Sequence, residues 1–287
     1  MFARRPSLIP FLLLMTPFAG GSAVAAPVTQ SSLYRVHGTV VAIAANKLSA
    51  RISHDAIPGY MPAMTMDFSF GDQSDAGDLQ AGDVVEFDLR VQVEDAWVAH
   101  FVRTGRAAIS FSAPLSTSQE IKTGELIPEA LFEIDDNTAV RISDWRGKAV
   151  ALTFFYGRCP LPTYCPLLHR NFQRAQPLAA ALLPQDSYLF CSMSFDPAHD
   201  DERALASLAQ TYAPQNSHWI FGRAKLSDIS NLAAAIGLEV RPKADGFDHN
   251  LRTVVIDPQG KLYKVFKGNA WTPQEIAAAL RAAMNAK

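Results

Sequence analysis

Two sets of soft donor side chains carry the chemistry in this 287-residue chain. The first is His54 with Met61, Met64 and Met66. Met64 and Met66 are two positions apart, so on an extended strand both thioethers leave from the same face. Thioether is soft and uncharged, and imidazole is a versatile partner; together they favour Cu(I) over harder divalent ions. Methionines that merely fill an apolar core give the same pattern, and the residues alone leave both readings open. The second set is the pair Cys159 and Cys165 in Gly157-Arg158-Cys159-Pro160-Leu161-Pro162-Thr163-Tyr164-Cys165-Pro166. It falls between an apolar run of strand length and a helical pattern. A helix N-terminus stabilises anions, so thiolates placed there are expected to have lowered pKa values. Such a pair can bind soft metal, cycle with a disulfide, or close a proline-rich loop as a structural disulfide. Spacing alone does not choose among these.

The elements that must position these groups fall into two halves. Residues 34–44, 47–53, 64–70, 84–91 and 96–103 are β-rich and partly alternating, separated by turn residues such as Asn46, Pro58-Gly59 and Gly82-Asp83. Five short strands predict a small all-β barrel of the OB kind over residues 31–106. Residues 107–119 lose any period and read as a linker. From 120 to 287 strands alternate with helices. Residues 149–156 form a continuous apolar run, as expected of a strand buried on both faces. A helix is expected from about Pro166, kinked or broken near Pro177. A strand over 188–194, a helix over 200–212, a hairpin from 253–257 to 262–266 and a closing helix over 273–284 complete an α/β order. That order fits a thioredoxin-like layering of helices on a mixed sheet.

Arg4 and Arg5, the apolar stretch from Leu8 to Phe18 and Ala23-Val24-Ala25 have the three-part layout of a secretory signal peptide, residues 1–25. The alternative is an uncleaved inner-membrane anchor, but the run is short and carries Pro10 and Pro17. No Cys follows it, so no lipid anchor is expected. The whole chain has a formal charge of −2; without residues 1–25, which hold two Arg and no acid, 24 basic against 28 acidic groups leave −4. That surface gives no reason to expect nucleic acid as a partner. Three cysteines in an exported chain allow at most one intrachain disulfide.

The run His54-Asp55-Ala56-Ile57-Pro58-Gly59-Tyr60-Met61-Pro62-Ala63-Met64-Thr65-Met66-Asp67-Phe68, with His37-Gly38-Thr39-Val40-Val41 before it, resembles the periplasmic copper-binding CusF family. The resemblance covers about residues 33–105. It implies a barrel that binds Cu(I) through His54, Met64 and Met66. Where the family has a tryptophan covering the metal, this chain has Met61, which cannot make a cation–π lid and is a candidate fourth ligand or an apolar cover. His37 and His100 lie inside strand patterns and read as structural.

Further on, Ile142-Ser143-Asp144-Trp145-Arg146-Gly147-Lys148, Phe154-Phe155-Tyr156-Gly157-Arg158-Cys159-Pro160, Ser194-Phe195-Asp196-Pro197, Gly246-Phe247-Asp248-His249 and Ile256-Asp257-Pro258-Gln259-Gly260 occur in an order similar to the SCO/SenC family. That resemblance implies a thioredoxin-like fold with copper, as Cu(I) and also Cu(II), held by Cys159, Cys165 and His249. The chain departs from the family in having five residues between its cysteines rather than three. Asp248 is a candidate acceptor for the His249 ring or an ordinary surface acid. Cys191 reads as a small core hydrophobe, and His169, one helical turn after Cys165 on the same face, is a candidate to tune that thiolate but reads rather as exposed. The two resemblances imply a periplasmic copper metallochaperone, not an enzyme, whose partner is a copper-accepting respiratory oxidase subunit or another periplasmic copper protein. The alternatives are a thiol–disulfide reductase using Cys159 and Cys165 as a redox disulfide, and a copper-tolerance buffer.

Overall fold

The computed structural model describes residues 31–44, 47–93, 95–107, 120–134, 138–214, 218–243 and 246–286. The expected signal peptide and nearly all of the expected linker lie outside these residues. Among the described residues no helix is long and apolar enough to cross a membrane.

The first half is a five-stranded antiparallel sheet. It comprises β1 (Ser32–Ile43), β2 (Ser49–His54), β3 (Met64–Ser69), β4 (Asp83–Val91) and β5 (Ala96–Arg106), ordered β3-β2-β1-β4-β5. Just past β3 the sheet curls onto its own far edge: Phe70 bridges Val98 in parallel, and the Gly71 amide donates to the Val98 carbonyl at 3.0 Å. Alternation drives the closure. In β4 the side chains of Val85, Phe87 and Leu89 are fully buried, while Val84, Glu86 and Asp88 between them are only partly so. Each such apolar side chain contributes about 1.5–3 kcal/mol by leaving water. Phe87→Ala would cost about 3–5 kcal/mol through the cavity it leaves. Gly38 pairs with His54 at the end of β2. A Cβ there would stand 2.8 Å from the Ser53 carbonyl oxygen and 3.0 Å from the His54 Cα, so only glycine lets β1 approach the donor strand this closely.

The second half is a mixed α/β domain. Its elements are β6 (Leu131–Glu133), β7 (Ala139–Arg141), β8 (Ala149–Phe155), α1 (Cys165–Leu182), β9 (Tyr188–Ser194), α2 (Glu202–Tyr212), β10 (Trp219–Arg223), α3 (Ser230–Ile236), β11 (Val240–Lys243), β12 (Gly246–His249), β13 (Arg252–Ile256), β14 (Leu262–Lys267) and α4 (Pro273–Met284). Seven strands form one sheet ordered β14-β13-β8-β9-β10-β6-β7, with β11 and β12 paired apart. β8, β9 and β10 run parallel, and β13 is antiparallel to β8. Every residue of β8 and β9 is buried, which explains their mainly apolar sequences, broken only by the buried hydroxyls of Thr153, Ser192 and Ser194. Leu168, Phe172, Ala175 and Ala179 of α1 are buried, as are Ile276 and Leu280 of α4.

The helix break expected near Pro177 is absent, and several short elements were not anticipated. α1 begins at Cys165 and passes through Pro177 without a break, because its buried apolar side chains hold it. The strands β6, β7, β10, β11 and β12 and helix α3 were not legible as periodic segments. At three to seven residues each, they are too short to show a period.

Candidate metal centre

The methionine face is set by strand register. His54 lies directly opposite Met64 across β2 and β3, and Ile52 opposite Met66. His54, Met64 and Met66 therefore share the inward face, all three buried. Met61 reaches the same region through a tight turn. The Tyr60 amide donates to the Ile57 carbonyl at 3.0 Å, and the Ile57 and Met61 backbones bond reciprocally at 2.8 and 3.0 Å. Gly59, with φ +73°, supplies the left-handed residue that a type II turn after Pro58 requires. Met61 is buried, where a tryptophan lid would have been expected.

His54 keeps one ring nitrogen bonded and the other unpartnered. Its Nδ1 lies 2.7 Å from the Asp55 carbonyl oxygen. A carbonyl only accepts, so Nδ1 carries the proton and the Nε2 lone pair is free. Nε2 is buried without a hydrogen-bond partner. Burial lowers the pKa of His54, against the raising effect of its backbone bond to Asp55. A neutral imidazole with an orphaned lone pair beside two thioethers fits a soft monovalent ion.

The cysteine loop is pinned at each end. The Gly157 amide donates to Asp200 Oδ2 at 2.8 Å, and a Cβ on Gly157 would strike that carboxylate. Arg158 pairs with Asp196 at 3.0 Å. Beyond the loop's first turn, Arg170 donates to the Pro162 carbonyl at 2.9 Å and Asn269 to the Thr163 carbonyl at 2.6 Å. The five-residue spacer thus folds back, and the Cys159 and Cys165 side chains hydrogen-bond. All three cysteines are free thiols. Cys159 is held well below the usual thiol range, first by the hydrogen bond from Cys165 and, against burial, by His249. Cys165, at the start of α1, is instead pushed well up, first by burial and then by its neighbour Cys159. This corrects the expectation that the helix N-terminus would favour both thiolates: at Cys165 desolvation outweighs the helix dipole, and the thiolate is Cys159.

His249 ends β12 and is buried among Tyr156, Tyr164 and Phe195, with ring centroids 5.5, 5.8 and 5.2 Å away. Its Nδ1 is 2.9 Å from the Asn250 carbonyl oxygen, which aims Nε2 toward the cysteine loop. Asp248 plays neither role expected of it: its Oδ1 accepts the Thr65 amide of β3 at 3.2 Å. Cys191 is fully buried in β9, and burial pushes its thiol up, as befits a core hydrophobe. His169 is buried rather than exposed, packed edge-on against Phe155, Trp219 and Phe221. His37 and His100 sit on the barrel surface, 2.7 Å from Asp55 and 2.9 Å from Asp88.

The two donor sets meet. Met61, Met64 and Met66 of the barrel and Cys159 and His249 of the second domain line one cavity, walled further by Tyr156, Leu161 and Tyr164. Three more contacts hold the halves together there. The Asp67 amide donates to the Tyr164 hydroxyl at 2.5 Å, Tyr60 donates to the Pro160 carbonyl at 3.3 Å, and Lys243 donates to the Ala63 carbonyl at 3.0 Å. No sequence signal pointed to this meeting, since Tyr164, Lys243 and Asp248 carry no motif for contacts to a segment about 100 to 180 residues away.

Comparison with known proteins matches two family models in series: copper binding periplasmic protein CusF over residues 33–101 and SCO1/SenC over residues 128–285. A search of curated proteins gave no match. Similar solved structures include ScoI of Bradyrhizobium japonicum with copper bound, 19% identical, covering 55% of this chain and 99% of that one with a TM-score of 0.46. A SCO1/SenC family lipoprotein of Bacillus anthracis is 24% identical, covering 55% and 95%, with a TM-score of 0.49. BsSco, described as having a disulfide switch and as a member of the Sco family of cytochrome c oxidase assembly proteins, is 21% identical, covering 58% and 98%, with a TM-score of 0.49. The SCO1/SenC match spans more than half of the chain, and the chain belongs to that family, with a CusF domain ahead of its thioredoxin-like domain.

Proposed function

We propose that this chain is an extracytoplasmic copper metallochaperone that takes up Cu(I) and passes copper to an acceptor protein of a respiratory cytochrome oxidase. The observation that carries the reading is the meeting of soft donors on one cavity: Met61, Met64 and Met66, with His54 opposite Met64 on the same inward face, on one side, and Cys159 and His249, with Cys165 hydrogen-bonded to Cys159, on the other. Copper is cargo here. Neutral thioether and imidazole donors suit Cu(I), while thiolate and imidazole hold Cu(I) and also Cu(II). The oxidase as destination follows the Sco relatives, one of which is described as an assembly protein of cytochrome c oxidase.

One observation favours a second reading, a thiol–disulfide reductase acting on cysteines of a copper protein. Cys159 is poised as the thiolate and Cys165 as its protonated neighbour, the asymmetry an attacking and a resolving cysteine need. The two readings separate in one experiment. Reduced, Cu(I)-loaded full chain is mixed with a soluble copper-accepting oxidase domain, and metal and thiols are followed together. A chaperone transfers copper to the acceptor; a reductase reduces the acceptor's disulfide equally well without metal. A chain that keeps its copper and leaves the acceptor oxidised is a buffer, and the proposal then fails.

A further inference from the structure

Both domains place their donors on one cavity, which has room for about one water-sized sphere. The geometry points to a composite copper site closed between the domains, in which a single Cu(I) is shared by methionine sulfur of β3, the Cys159 sulfur and His249. This rests on the copper reading above and replaces two separate sites by one in the docked chain.

The latch and the ligands are locked in register. On β3 the amides of Thr65 and Asp67 flank Met66, with Met64 just before them, and are taken by Asp248 and by the Tyr164 hydroxyl. Asp248 immediately precedes His249, and Tyr164 immediately precedes Cys165. Each interdomain hydrogen bond therefore fixes a methionine of one domain against a donor of the other. β3 is an edge strand of its sheet, so these amides have no strand partner on that side and are free to be claimed.

Donor count and charge agree with sharing. Cys165 and His249 both hydrogen-bond Cys159, but of these three only Cys159 and His249 line the cavity. The other soft donors on its wall are the sulfurs of Met61, Met64 and Met66. One thiolate and Cu(I) sum to zero charge, whereas two thiolates would leave an anion in a partly enclosed, mainly apolar cavity, where an uncompensated charge is costly. A neutral Cu(I) held by one thiolate, thioether and imidazole suits those walls.

The test uses the full reduced chain with its methionines replaced by selenomethionine, so that no contact is deleted. Copper X-ray absorption then tells methionine (Cu–Se) from cysteine (Cu–S) donors, and titration against a chromophoric Cu(I) chelator gives the stoichiometry. The composite site predicts one tight equivalent per chain, with selenium and sulfur shells on the same copper. It also predicts that Met64→Leu with Met66→Leu lowers affinity by at least about tenfold, which is about 1.4 kcal/mol. Two equivalents of comparable affinity, or a first equivalent with only selenium or only sulfur, overturn the shared site and leave the copper function standing. A chain that retains no Cu(I) overturns both.

Discussion

The Thr65 amide donates to Asp248 Oδ1 at 3.2 Å, tying the strand of the methionines to the residue that precedes His249. Lys243 stands 3.8 Å from the same carboxylate and donates to the Ala63 carbonyl, so the contact is charge-assisted on both sides. A partly buried hydrogen bond to a charged group is worth about 1.5–3 kcal/mol. Asp248→Ala should free the Thr65 amide and raise its hydrogen-exchange rate by about tenfold or more. Asp248→Asn keeps an acceptor and should change the rate far less. Unaltered exchange in Asp248→Ala would mean that the halves are held by other contacts.

The methionine face should be separable from the barrel's stability. Leucine in place of Met64 and Met66 nearly conserves volume, so each change should cost less than about 1.5 kcal/mol in denaturant unfolding. Cu(I) binding should fall in the same variant. A barrel that unfolds outright, or that binds copper undiminished, would return these methionines to the role of core filler.

Cysteine reactivity should be ordered. Cys159 is half-buried and held toward the thiolate, while Cys165 and Cys191 are buried and pushed up. In reduced protein without copper, iodoacetamide at neutral pH should modify Cys159 first by mass spectrometry, and copper should protect it. Preferential labelling of Cys165 would reverse the assignment of the thiolate.

His169 predicts the acid limb of stability. Burial lowers its pKa from 6.5 to about 3, and its Nε2 is buried without a partner. The unfolded chain takes up a proton as pH falls through about 6.5 while the folded chain resists until about 3, so the neutral ring's contribution is complete above pH 6.5 and is lost on the way down to 3. The loss approaches about 4 kcal/mol at the bottom of that window. His169→Phe should flatten this part of the stability–pH curve. An unchanged slope would show that His169 is not the group taking up the proton.

The sequence carried the barrel because β4 alternates strictly, and β8 because it is a nearly continuous apolar run of strand length. Met64 and Met66 were legible as one face because strand period is two. The asymmetry of the cysteines was not legible, since it depends on desolvation at Cys165 and on His249, 84 residues further along. His169 misled for a related reason: its helix face is buried by Trp219 and Phe221 of β10, a strand too short to be read. The meeting of the two donor sets lay beyond any local pattern, because edge-strand amides have no sequence signature.

The most direct test of copper handling by these donors is Cu(I) affinity of the reduced full chain, measured by chelator competition for wild type, Cys159→Ser and Cys191→Ser. Wild type should hold copper against the chelator. Cys159→Ser should lose more than about tenfold in affinity, or about 1.4 kcal/mol, and Cys191→Ser should match wild type. Equal affinity of wild type and Cys159→Ser, or a loss with Cys191→Ser as large as with Cys159→Ser, would contradict the account.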